Sequence, residues 1–439
     1  MDWDRLGNEA VEVLSEYIRI DTTNPPGNEA RGAEFLGDLL EREGIDFKTY
    51  ESEPGRTSLV ARLRGGGEGK PLILLNHIDV VPAEAEKWDV HPFSGQVSDG
   101  YIWGRGTLDM KGMGIMELMA MFAAAREGLE LKRDVVFLAV ADEEAGGSKG
   151  CGYLMQHHPG ELEADMVLNE GGFANTTLVP GHPLFMVSGG EKYVMWLRLT
   201  RKGVGGHGSM PTGQGALESL VLALARLLSS ERPMRFCGTT RGFFSVLAGH
   251  WDMLKPFRED GDVETLKRLI VENNLAALPA LNSIVRNTIS LNVLHSGVKM
   301  NVIPDEAMAE LDCRVLPDTE PEEFLAWVRE ALDDPEIDME LVIGGDLSPE
   351  SPPEGALYSA LERAITDNYP DAVISPFLMP AVSDSRFFRR AGVPVYGIIP
   401  AHLDMEALAT IHGLNERIAV EDVRNGVTFI YELVRNICT

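Results

Sequence analysis

Cysteine is scarce in this chain of 439 residues. The four present, Cys151, Cys237, Cys313 and Cys438, are scattered, and none belongs to a C-x-x-C pair. That spacing argues against a thiolate metal knot and fits free thiols in a reducing cytoplasm. Long apolar runs are missing too: nothing approaches the roughly 18 residues of a membrane span. The start, Met1-Asp2-Trp3-Asp4-Arg5, has neither the basic flank nor the apolar core of a signal peptide. Positive charge is in deficit, with 39 Lys and Arg against 68 Asp and Glu, a net charge of −29. Nucleic acid and anionic membrane are thereby disfavoured as partners, although a pocket can differ in sign from the whole surface. No internal repeat or low-complexity segment stands out.

What the chain does have is enough length for two domains and the 44% hydrophobic and 24% charged content of a globular protein. It is organised around Leu72-Ile73-Leu74-Leu75-Asn76-His77-Ile78-Asp79-Val80-Val81-Pro82. The apolar run opened by Pro71 reads as a buried strand of a parallel sheet, with His77 and Asp79 at its carboxyl end. Positions i and i+2 of a strand share a face, so the two can cooperate. H-x-D alone is equally a strand-end histidine bonded to a nearby carboxylate. Val135 to Val140 is a second such strand, leading into Asp142-Glu143-Glu144. Met166 to Leu168 leads into Asn169-Glu170, and Val393 to Ile399 precedes His412. The long loop Trp88 to Gly106 ends in Asp109, just before an apolar helix of about Gly112 to Arg126; a helix N-cap is the bland reading of that aspartate. In open α/β sheets ligands gather at the carboxyl edge. Histidines and carboxylates recurring after every apolar strand therefore point to one site.

Residues 188–347 differ in texture. Strands near Lys192 to Thr200, Thr288 to Leu294, Ala307 to Val315 and Ile337 to Ile343 alternate with helices near Gly215 to Leu228 and Glu320 to Leu332. This βαββαβ order is that of a ferredoxin-like sandwich, with a helical excursion at about 232–287. The expected architecture is an α/β catalytic domain, residues 1–187 and 348–439, built on a mostly parallel sheet flanked by helices. Into it an α+β domain of 188–347 is inserted.

Imidazole and carboxylate without thiolate suit catalytic zinc, cobalt or manganese. If two ions share one carboxylate, one His and one further carboxylate per ion leave room for a common water, and a hydroxide there brings the cluster to neutrality. Glu143 and Glu144 are adjacent and, in an extended strand end, cannot point the same way. One can be a ligand while the other serves as general base.

The chain resembles the dinuclear-zinc amidohydrolases that include aminoacylase, carboxypeptidase G, acetylornithine deacetylase and succinyl-diaminopimelate desuccinylase. The pieces that carry the likeness are Asn76 to Pro82, Gly104-Arg105-Gly106 through Gly112, Asp142-Glu143-Glu144, Asn169 to Gly172, Gly203 to Pro211 and His412-Gly413-x-Asn415-Glu416. The resemblance implies His77 and Glu170 on one metal, Glu144 and His412 on the other, Asp109 bridging, and Glu143 as base. Asp79 becomes the partner of His77, and a cis peptide follows Asp109. It also implies that the inserted domain serves as lid and dimerisation unit, and that His207 donates to an oxyanion in the partner's site of a homodimer; by sequence alone His207 is a surface-loop histidine.

Pro380 to Phe388 is closer to the aminoacylase-like members, which makes Arg386 a candidate for holding a substrate carboxylate bidentately. Arg314 and Asn301 are further candidates, with a structural ion pair an equal reading for either arginine. The other histidines, His91 included, are given structural roles. The expected activity is metal-dependent hydrolysis of a peptide or N-acyl amide beside a free carboxylate. The substrate is then a small molecule or short peptide. The rivals are a deacetylase or desuccinylase of a biosynthetic intermediate and an inactive binding protein on the same fold.

Overall fold

The computed structural model describes residues 1–211 and 213–439. Contacts divide the chain into two units: Met1–Gly189 with Ser351–Phe377 and Ser383–Thr439, and Gly190–Glu350 with Leu378–Val382.

The first unit is built on a ten-stranded sheet. Four neighbouring strands, in the order Val135–Val140, Leu72–His77, Met166–Asn169 and Val395–Gly397, run parallel. Every residue of the first three is buried. The side chains alternate between faces: Leu72 and Leu74 join one apolar cluster, whereas Ile73 and Leu75 join another. Both faces are therefore covered, which is why these strands read as unbroken apolar runs. The helix Lys111–Glu127 lies in the first cluster, with every residue from Lys111 to Ala124 buried; it ends at Gly128, whose φ of 62° suits a left-handed cap. Helices Trp3–Ile18 and Val420–Cys438 pack against it.

The strands that adjoin the parallel four on either side join them antiparallel, which the apolar runs do not announce. Phe47–Glu53 and Arg56–Leu63 extend one side and Leu184–Glu191 the other. Phe47–Glu53 is mostly exposed and polar, and Val373–Met379, paired with Leu184–Glu191, is interrupted by Pro376. A small separate sheet joins Gln96–Ser98, Tyr101–Trp103 and Arg417–Ala419.

The second unit holds a four-stranded antiparallel sheet in the order Thr288–Ser296, Glu306–Val315, Tyr193–Lys202 and Ile337–Gly344. With helices Ala216–Ser229 and Pro321–Leu332 it follows the βαββαβ order, and its core is drawn from both helices and the inner strands. Residues 238–284 are helical in four segments, Gly238–Leu247, Lys255–Asp260, Val263–Glu272 and Pro279–Ile284. All four cysteines are buried and unpaired by disulfides. No helix among the described residues is long and apolar enough to cross a membrane.

Candidate active site

Because the four central strands are parallel, their carboxyl ends lie on one edge, and His77, the Asp142–Glu144 turn and Glu170 follow from them. Glu170 owes its placement to a close approach of backbones: a Cβ added to Gly397 would meet the carbonyl oxygen of Glu170 at 1.8 Å. Only glycine fits there.

His77 is buried, and its Nε2 lies 3.0 Å from Asp109 Oδ1 and 3.8 Å from Glu170 Oε1. Asp109 spends its other oxygen on a second imidazole, with Oδ2 at 2.9 Å from His412 Nε2. Glu144 Oε2 is 3.3 Å from the same His412 nitrogen. The Asp109–Met110 peptide is cis. Asp109 does not cap the helix after it; Met110 occupies the N-cap position, with no side-chain capping bond among the described residues.

Two expectations need correction. The ring of His77 is oriented chiefly by the backbone: its Nδ1 donates to the carbonyl oxygen of Asp79 at 2.9 Å, while the Asp79 carboxylate is 3.6 Å away. With Nδ1 bonded to that carbonyl, Nε2 is the nitrogen turned toward Asp109 and Glu170, and the one left to bind a cation when the ring is neutral. The Asp79 carboxylate instead holds the neighbouring turn. Its oxygens accept from the backbone N–H of Glu143 and of Glu144, each at 3.1 Å, and from Asn24 Nδ2 at 2.8 Å. The second correction concerns Glu143 and Glu144, which are not in an extended strand end. Glu143–Ala145 is a 3₁₀ turn entered through Asp142 at φ 71°. It is this turn that separates the pair: Glu144 falls with His77 and Asp109, and Glu143 with His77 and Glu170. Within each trio the ligand atoms lie within 4.8 Å of one another.

Several residues that support these groups escaped the sequence reading. Arg56 pairs with Glu29 at 2.9 Å and with Asp142, all three buried, and also donates to Asn24 Oδ1 at 3.3 Å. On the other side, Arg105 Nη1 meets Glu416 Oε2 at 2.6 Å, both fully buried. Arg105 and Glu416 stand in quoted motifs, and Asn24 in a turn-rich loop, but no local pattern announces their partners. Asp384 was missed too; it is buried, and neither oxygen has a hydrogen-bond partner among the described residues.

The charges are strongly coupled. Burial raises Glu143, Glu144 and Glu170, the last to about 8, with neighbouring carboxylates adding to the effect at each. Hydrogen bonds to Asp109 and Glu144 raise His412 to about 10. For His77 burial opposes protonation, yet Asp109, Glu170 and Glu143 together hold it well above the usual imidazole range. Asp109 is held low by its two imidazoles, against burial. A cluster with this excess of acid attracts positive charge. The donor set is all imidazole and carboxylate, and Glu144 Oε1 is buried without a hydrogen-bond partner among the described residues. Divalent cations fit it.

The remaining candidates are placed differently. Arg386 Nη1 donates to the Ser383 carbonyl at 2.8 Å and Nη2 to that of Gly146 at 2.6 Å, so it grips the end of the Glu143–Ala145 turn. Arg314 makes a two-pronged pair with Asp312 on its own strand, at 2.8 and 3.2 Å. In the second unit a two-residue ribbon pairs Gly206–His207 with Val302–Ile303 and brings His207 beside Asn301, whose carbonyl accepts from Gly208 N at 2.9 Å. His207 is exposed. Its Nδ1 accepts from the Ser209 backbone N–H at 3.2 Å, which leaves the proton of the neutral ring on Nε2.

A parallel sheet that gathers imidazoles and carboxylates at its carboxyl edge, in a chain that also carries a βαββαβ unit, has the organisation of a metallopeptidase-type hydrolase. The chain belongs to the peptidase family M20/M25/M40, whose model matches residues 73–436. It is 33% identical over 440 residues to the N-fatty-acyl-amino acid synthase/hydrolase PM20D1 of Xenopus tropicalis, covering 98% of this chain and 86% of that one. Mouse aminoacylase-1 is 28% identical, over 95% of this chain and 92% of its own. The fold matches that of the M20 metallo-carboxypeptidase Sso-CP2 from Sulfolobus solfataricus with a TM-score of 0.74 at 18% identity, covering 97% and 98% of the two chains.

Proposed function

We propose that this protein hydrolyses the amide bond of an N-acyl amino acid or short peptide, beside a free carboxylate, using two divalent ions. Zinc is the first choice and cobalt or manganese the alternatives. The observation that carries the reading is Asp109, whose two oxygens face two imidazoles with Glu170 beside one and Glu144 beside the other. On this reading His77, Glu170 and Asp109 would hold one ion, and Glu144, His412 and Asp109 the other. When bound, the ions supply Lewis acidity toward the scissile carbonyl and acidify a water.

The chain's own residues carry the protons. Glu143 takes one from the attacking water as the new carbon–oxygen bond forms, and returns it to the leaving nitrogen as the carbon–nitrogen bond breaks. The products are a carboxylic acid and an amine, with the proton count unchanged. Asp79, set by Asn24, fixes the backbone of Glu143 and so aims the base. His207, with its proton on Nε2, is suited to donate to the developing oxyanion from the second copy of a homodimer. The relatives named for N-fatty-acyl-amino acids and for aminoacylase support N-acyl amino acids over longer peptides. Four buried free thiols support residence in the reducing cytoplasm.

Protein loaded with zinc, cobalt or manganese and offered acyl-amino acids of short and long chain, dipeptides, acetylornithine and succinyl-diaminopimelate tests the reading. Turnover of acyl-amino acids or dipeptides is expected. Turnover confined to the two biosynthetic intermediates overturns the substrate class. Two bound ions without any turnover point to the binding-protein reading.

A further inference from the structure

Asp109 and His412 are 303 positions apart in the chain, yet one of them meets the other at 2.9 Å. His412 has φ 57° and is half exposed, and among the described residues its ring forms ion pairs with Asp109 and Glu144. Its position is set from the backbone side. Glu416 Oε1 accepts from Leu108 N at 2.8 Å and from Asp109 N at 3.2 Å, and its Oε2 pairs with Arg105 Nη1. Arg105 Nη2 then donates to the carbonyl of Gly413, the residue after His412, at 2.8 Å. One buried ion pair thus fastens the backbone of Asp109 to the backbone beside His412. The guanidinium is backed by the Trp88 ring at 5.3 Å.

We propose that Arg105 and Glu416 are positioning residues that set the spacing of Asp109 and His412, and through it the affinity for the ion those two share with Glu144. The inference rests on the metal-ligand reading above. A buried pair that only stabilised the fold would be replaceable by apolar groups of similar volume. This pair has a second duty, because each member also bonds a backbone group next to a ligand. The segments on either side are joined independently, since Tyr101–Trp103 pairs with Arg417–Ala419 and Gly104 N donates to the Glu416 carbonyl at 2.9 Å. Loss of the clamp should therefore loosen the stretch from Arg105 to Asp109 against His412 to Glu416, leaving the rest in place.

The test uses the full chain and four variants: Glu416→Gln, Arg105→Lys, the double variant Arg105→Met/Glu416→Met, and Leu361→Ala as a fold-weakening control in the buried face of the helix Ala356–Asn368. Zinc content is measured after dialysis against a series of chelator concentrations, with thermal midpoints and amide exchange at Leu108 and Asp109 recorded on the same samples. Wild type is expected to hold two ions. The double variant, free of any unpaired charge, should fold and lose one ion at ~10–100-fold lower chelator strength, the range for residues that orient metal ligands. Its Leu108 and Asp109 amides should exchange faster. Arg105→Lys, which keeps the charge but not the fork, should fall between. Leu361→Ala should keep both ions despite its lower midpoint. Unchanged zinc affinity in every folded clamp variant overturns the proposal, as does loss of both ions in step with stability. Fewer than two ions in wild type overturns the metal reading itself, which is a different result.

Discussion

The residues proposed for chemistry are held in two contrasting ways. In the first unit each has buried partners of its own: His77 through the Asp79 carbonyl, the Glu143–Ala145 turn through Asp79 and Arg386, Asp109 through Glu416. In the second unit His207 lies on a two-residue ribbon and Asn301 just before its second strand, both exposed, with Val298 and Met300 nearby in the chain almost wholly open to solvent. Groups that must share a cation need their spacing fixed before it arrives, since like charges otherwise drift apart. A hydrogen-bond donor needs only the right tautomer until a substrate is present. Ser209 supplies that tautomer.

The largest effect that sharpens this contrast is expected at the base. Glu143→Gln should lower kcat by ~10²–10⁴, as loss of a general base does, while metal analysis still finds two ions. Loss of one ion would make Glu143 a ligand, as its closeness to His77 and Glu170 permits. His207→Ala comes next, at ~10²–10³ in rate. If the donor comes from a partner chain, mixing this variant with Glu143→Ala under conditions of subunit exchange should restore about a quarter of wild-type activity, because half the dimers then carry one complete site. Restoration of nothing, with exchange verified, would place the donor elsewhere.

A smaller effect concerns Asp384, pushed up to about 7 by burial, which Arg386 and His77 only partly offset. Its folded pKa is raised, so between the ordinary carboxylate value and 7 the folded chain binds the proton more tightly than the unfolded one. Its contribution to stability is therefore complete at low pH and is lost as pH rises through 7. In metal-free protein, Asp384→Asn should gain on wild type by ~2 kcal/mol between pH 5 and 8; parallel pH profiles of the two melting curves would refute this. The smallest effect is Arg314→Ala, worth under ~1 kcal/mol for a part-exposed pair and nothing in rate. A tenfold rise in KM would show instead that Arg314 meets the substrate.

How far the site was legible follows from what kind of signal each residue leaves. Strands buried on both faces announce themselves as apolar runs, so the four parallel strands and the groups after them could be read directly. Phe47–Glu53, exposed and polar, leaves no such run. The ferredoxin-like order of the second unit was legible because its strands alternate and its helices keep their period. Arg56 and Glu29, by contrast, stand in different elements, and a long-range ion pair has no period to read. Asp79 shows the remaining gap: its position was legible, but that its carboxylate would serve a turn more than 60 positions away depended on the sheet that brings them together.

The four cysteines have a consequence for measurement. Cys151 and Cys438 lie in the first unit, Cys237 and Cys313 in the second, all buried. Burial pushes the thiols of Cys237, Cys313 and Cys438 up to about 12, and that of Cys151 higher than usual as well. A thiol-directed alkylating reagent therefore reacts only when the surrounding packing opens. Labelling followed by mass spectrometry therefore reads the opening of each unit separately in one unmodified chain.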